Sequence, residues 1–116
     1  MSNTQWGDGG RDGMARLAQM FPTLRQAAGV APWDPDALMR WASSSGAITS
    51  GSAHAVAFLL NVWNTRADWP AVASSELGID PQAAEWFRFN CGEAIACWDS
   101  THRAAFLAWC REPFFP

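Results

Sequence analysis

The sequence predicts an all-α fold, a compact single-domain bundle of five to six helices. Three observations carry this reading. Apolar residues recur at three- and four-residue spacing through most of the chain, and nowhere does a period of two last beyond a few residues. Alanine is abundant while β-branched valine and isoleucine are scarce. Two segments open with Asp-Pro (Asp34-Pro35 and Asp80-Pro81), where the aspartate caps free amides and proline suits the first helical position. At 116 residues and 12.7 kDa, the chain fits one ordinary domain.

The elements follow in order. Residues 1–11 hold three glycines and few apolar groups and read as a flexible N-terminal segment; residues 12–116 read as a single helical domain. Met14, Leu17, Ala18 and Phe21 mark one helical face, which Pro22 interrupts. A short piece from Thr23 to Ala28 is stopped by Gly29, a left-handed cap. Trp33-Asp34-Pro35-Asp36 starts the next helix, with Trp33 and Leu38 at hydrophobic-staple spacing. That helix fades at Ser43 to Gly46, and a polar loop runs to Ser52. Thr49 or Ser50 caps a helix reaching about Trp63 that is apolar nearly all round, interrupted by His54 and Asn61, and therefore central. Asp68 caps a short helix ending at Leu77-Gly78. The longest helix is expected from Pro81 to Trp98, with Ala84, Phe87, Cys91, Ala94 and Trp98 as its packing seam. Gly92 within it suggests a close helix crossing. Asp99 or Ser100 caps the final helix, and the chain closes on Pro113-Phe114-Phe115-Pro116.

Composition removes several function classes. There is no lysine, which excludes Schiff-base chemistry and a Walker A phosphate loop. Net charge is −3, against the basic surface that nucleic acid requires. The N-terminus lacks the pattern of a secretory signal, and the longest apolar run, Ala55 to Leu60, falls far short of the roughly 20 residues of a membrane span. Cys91, Cys97 and Cys110 match no disulfide scaffold and are expected as buried reduced thiols of a cytoplasmic protein. Arginine as the sole strong cation, with abundant Ala, Gly, Pro and Trp, suggests GC-rich codons and a bacterial source.

Val72 to Phe89, with the run Ser-Ser-Glu-Leu-Gly-Ile-Asp-Pro at its turn, resembles the turn of a DNA-binding helix-turn-helix. The resemblance implies a DNA-binding regulator using residues 72–89, and this is the alternative function. Its second helix departs from the pattern in charge: Gln82, Glu85, Arg88 and Asn90 offer one cation and one anion.

Other constellations are sparse. Gly46 to Ser52 precedes a helix N-terminus, where amides hold anions, but no strand and no lysine accompany it. Cys91, Cys97, His102 and Cys110 lack the spacing of a metal site, so no metal and no cofactor is expected. His54 and His102 are the available general bases, but no nucleophile motif accompanies either, so no catalytic residue is assigned and a non-enzymatic role is favoured. Trp86, Asn90, Glu93 and Cys97 make a stripe on the long helix. His54, Asn90, Glu93 and His102 form a possible polar pocket for a small ligand or a reaction around Glu93.

The aromatic excess decides the leading expectation. Eight tryptophans exceed what a core this small encloses, and Trp and Arg dominate protein–protein hot spots. The chain is expected to bind a protein partner or a second copy of itself through an aromatic surface, as an adaptor, inhibitor or immunity-type protein. Trp33, Trp41, Trp69, Trp109, Phe114 and Phe115 are the expected contacts, with Arg88 and Arg111 at the rim.

Overall fold

The computed structural model describes residues 3–44 and 50–113 and, for residues 3–9, only the course of the backbone. It is all-helical among the described residues, with seven α-helices where five to six were expected: α1 (Asn3–Gln19), α2 (Pro35–Ser44), α3 (Ser50–Trp63), α4 (Trp69–Glu76), α5 (Pro81–Ala84), α6 (Cys91–Cys97) and α7 (Ser100–Arg111). Two 3-10 turns, Pro22–Leu24 and Glu85–Phe87, complete the set. Helix α1 begins at Asn3 and so takes in the glycine-rich stretch that composition set apart.

The extra helix comes from a break in the expected long one. After Glu85–Phe87 the backbone extends at Arg88 and again at Asn90, whose φ is −125° and ψ 107°. The Asn90 side chain then accepts the backbone N–H of Glu93 at 3.0 Å and caps a new helix, α6. Ala84, Phe87, Ala94 and Trp98 of the expected seam are all buried, although the first three lie on three different elements and Trp98 on the link after α6. Cys91 of that seam is exposed, as are Cys97 and Cys110, so the expectation of buried thiols is corrected. Gly92 is no crossing point: a Cβ there would meet only Asn90 Oδ1, at 3.6 Å.

The local caps fold as their chemistry dictates. Asp34 Oδ1 accepts from the amides of Asp36 and Ala37, Asp68 from Ala71, and Asp80 from Gln82 and Ala83. Each satisfies amides that have no partner within the helix.

Helix α3 is the centre. From Ala53 to Leu60 every residue is buried, and α1, α2, α6 and the Glu85–Phe87 turn pack around it. Phe58, at its middle, meets the rings of Phe21, Phe89, Trp98, Phe106 and Trp109 at centroid distances of 5.1 to 6.4 Å. Trp98 adds a directional tie by donating its indole N–H to the Gly51 carbonyl at 2.9 Å. On the other flank, Arg11 donates to the Trp33 carbonyl at 2.8 Å and lies over the Trp63 ring. Trp33 in turn packs against Trp63.

Gly29 carries the tightest backbone approach. Its φ is +85°, and an added Cβ would run into the Asp34 carbonyl oxygen and the Leu38 amide nitrogen. Gly78 has a similar φ of +69° but open space around it. Gly29→Ala therefore combines left-handed strain with a backbone clash and should destabilise by about 3 kcal/mol or more in urea denaturation. Gly78→Ala meets strain alone and should cost about 1–2 kcal/mol. Equal losses at the two positions would refute the clash.

Candidate functional site

The structure distributes the expected binding residues unevenly. Trp33 is 1% exposed and Trp69 is also buried, donating its indole N–H to the Asn64 carbonyl at 3.1 Å. Both rings serve the core and present almost no area to a partner. Trp41 and Trp109 are half-buried against the core. Arg88 and Arg111 are exposed, and Arg88 is engaged by Glu85, Nε to Oε1 at 3.1 Å. That bond raises the pKa of the guanidinium further. Phe114 and Phe115 lie outside the described residues, as does the Gly46–Thr49 part of the polar loop. The most exposed described tryptophan is one that sequence reasoning placed only in a helical stripe: Trp86, at 51%.

The Val72–Phe89 segment folds as α4, a turn through Gly78, and α5. Helix α5 is four residues long before it tightens into a 3-10 turn. That is about one turn, shorter than a helix that reads a major groove, and the one cation that follows is matched by Glu85.

Of the expected polar pocket, the structure brings His54 and Glu93 together. With Gln82, Glu85, Trp86 and Arg88 they line a cleft of about 130 Å³ between α3, α5, the Glu85–Phe87 turn and α6. Of the expected stripe, Trp86 and Glu93 line this cleft, whereas Asn90 and Cys97 do not. His54 enters from the buried helix and is itself 6% exposed. Its ring lies edge-on to Trp86, with centroids 6.0 Å apart. Its Nδ1 is sealed from water and bonds to no protein group among the described residues. An unpaired buried polar atom costs about 1–3 kcal/mol, so its presence beside a cleft calls for an explanation. Asn90 is not among the lining residues and serves as the α6 cap.

The cleft is electrostatically uneven. Glu85 is matched by Arg88, whereas no ion pair forms at Glu93 among the described residues. Two carboxylates and one guanidinium leave the lining one charge negative. Trp86 and Glu93 share the cleft as they shared the expected stripe, whereas Gln82 and Glu85 were not singled out as lining residues.

A second groove of about 340 Å³ runs between α1 and α7. Leu17, Met20, Ala108 and Trp109 form its apolar walls, with Arg16 and Glu112 at the edges. No group of three or more histidine, cysteine or acidic side chains among the described residues is placed to hold a metal ion. No described helix is long and apolar enough to cross a membrane.

His102 lies apart from the cleft. It is 5% exposed, its ring packs against Phe21, and its Nδ1 sits 2.9 Å from Asp99 Oδ1. Asp99 also accepts the His102 backbone N–H at 2.9 Å, capping α7. No protein-family model matches the chain, nor does any curated protein or solved structure.

The bonds to Asp99 have a pH signature. The His102 backbone N–H, and then its ring, hold the Asp99 carboxyl below its ordinary range. Its folded pKa thus lies below the unfolded value of about 3.9. The stabilisation is present above that value and is lost as pH falls through the folded pKa. The stability gap between wild type and Asp99→Ala, read by urea denaturation, should narrow as pH is lowered from about 5 towards 2. A gap constant over that range would show that the carboxylate charge contributes nothing.

Proposed function

We propose that this chain is a binding protein that takes an amino or guanidino group of a partner protein, an arginine or lysine side chain, into the cleft beside Trp86. The observation that carries the reading is the convergence in one cleft of Glu93, unmatched by any cation among the described residues, with the half-exposed ring of Trp86 and the edge of His54. A carboxylate beside an exposed indole face suits a cation, through charge and through the ring quadrupole. The net charge of −3 favours the same sign of ligand over distance. Trp86 provides an anchor of the residue type that dominates protein-binding hot spots. This reading keeps the expectation of a protein partner but moves the contact from Trp33 and Trp69 to Trp86.

The test uses small probes of the group itself. Butylguanidinium and butylammonium chlorides are titrated against the full chain, with sodium butyrate as the anionic control. The signals followed are the His54 ring and the Trp86 indole N–H in NMR spectra. Saturable shifts are expected with the cations, at dissociation constants around the millimolar range, about −4 kcal/mol. Glu93→Gln and Trp86→Ala should each weaken binding by about two- to fivefold. Absence of saturation with either cation, or an equal response to butyrate, would refute the reading.

A further inference from the structure

We propose that Thr23 is a nucleophilic hydroxyl, activated by His102 and Asp99, that accepts an acyl group from a carboxylic ester. This site is separate from the cleft and does not depend on the binding reading. It is assembled from four residues in three separate parts of the chain. Thr23 lies in the 3-10 turn Pro22–Leu24, Ser52 near the start of α3, Asp99 at the cap of α7, and His102 in its first turn.

The hydrogen bonds run in one direction. Asp99, held ionised by the bonds it accepts, accepts a hydrogen bond from His102 Nδ1–H at 2.9 Å. In the neutral ring this leaves Nε2 as an acceptor. Thr23 Oγ1 lies 3.1 Å from Nε2, and the Ser52 hydroxyl donates to the same Oγ1 at 2.7 Å. Thr23 therefore receives one proton from Ser52 and directs its own at His102. A nucleophile, a base within hydrogen-bond reach, and an acid that orients the base form the arrangement that activates a hydroxyl.

Exposure divides the roles. Thr23 is exposed, whereas His102 is 5% and Ser52 3% exposed. Thr23 thus stands at the surface, the side from which an ester would approach, while the base stays screened from bulk water. Phe21 against the imidazole lowers the local dielectric, which strengthens the hydrogen-bond chain.

The step balances without another reactant. Thr23 Oγ1 bonds to the ester carbonyl carbon as its proton passes to His102 Nε2. The bond from that carbon to the leaving oxygen breaks, and the leaving oxygen takes the proton from Nε2. His102 returns to its neutral form, Thr23 carries the acyl ester and the alcohol departs.

The same four groups also tie the 3-10 turn, α3 and α7 together, so the test reads chemistry rather than folding. The full chain is treated with p-nitrophenyl acetate, and acetylated positions are mapped by tandem mass spectrometry of its peptides. Acetylation is expected at Thr23, retained at that position in Thr23→Ser and absent from it in Thr23→Val. His102→Gln should slow it by about a hundredfold or more, the usual contribution of a positioned general base. Asp99→Asn keeps a capping oxygen but loses the charge that fixes the tautomer, and it should also slow the reaction while circular dichroism stays native. If His102→Gln unfolds, Asp99→Asn carries the comparison. Acetyl groups confined to Cys91, Cys97, Cys110 or other hydroxyls, or a Thr23 rate unchanged in folded Asp99→Asn, would overturn the proposal.

Discussion

Helix α3 is apolar on every side, and Phe58 at its middle is where distant parts of the chain meet. Phe21 arrives from the end of α1, Phe89 from the extended link before α6, Trp98 from the link after it, and Phe106 and Trp109 from α7. Tilted and edge-on ring pairs of this kind add roughly 0.5–1.5 kcal/mol each beyond the area they bury. They also set directions, since an edge meets a face at only some rotations. The short helices α5 and α6 owe their places to this arrangement. At four and seven residues they are too short to be stable alone, and they hold their form by packing on α3 and its neighbours.

Local chemistry was legible in the sequence wherever its cause lay within a few residues. The aspartate caps at 34, 68, 80 and 99 and the left-handed glycines at 29 and 78 follow from side-chain reach and backbone sterics alone. The long helix from Pro81 failed for an instructive reason. Its apolar spacing correctly picked out Ala84, Phe87, Ala94 and Trp98 as buried, but spacing cannot distinguish one helix from two that bury the same positions. The sequence does hold the stop signal: Asn90 followed three residues later by Glu93 has the spacing of a capping box, and Asn90 is a strong cap. Past the break, Cys91 and Cys97 lie at exposed positions of α6.

The tryptophan argument was half right in its premise. Seven tryptophans can be placed, apart from Trp6: Trp33, Trp69 and Trp98 are buried, Trp41, Trp63 and Trp109 are half-buried, and Trp86 is exposed. The core fully encloses three of these seven and leaves the other four at or near the surface. The polar sites were legible to different degrees. His54 and Glu93 drew notice as polar groups beside apolar seams, and they do share a cleft. Thr23 and Ser52 gave no sign, because Thr23 meets His102 79 positions away and Ser52 meets Thr23 29 positions away, and no local pattern encodes either meeting.

The two polar clusters share a root in α3. Ser52 and His54 are buried on the same helix two residues apart, so they point roughly 200° from one another. Ser52 reaches Thr23, whereas His54 reaches Trp86. A helix apolar all round could turn about its axis with little change in buried area. Two polar groups on opposing sides remove that freedom, because any rotation that improves one strips the other of its neighbour. The Ser52 bond and the Trp98 bond to Gly51 thus fix the angle of α3, and with it the presentation of His54 to the cleft. The hydroxyl cluster is satisfied within the protein, whereas His54 Nδ1 is not. That asymmetry separates the two faces: on one, hydroxyl, imidazole and carboxylate satisfy one another; on the other, an unsatisfied group stands beside a cleft of net negative charge.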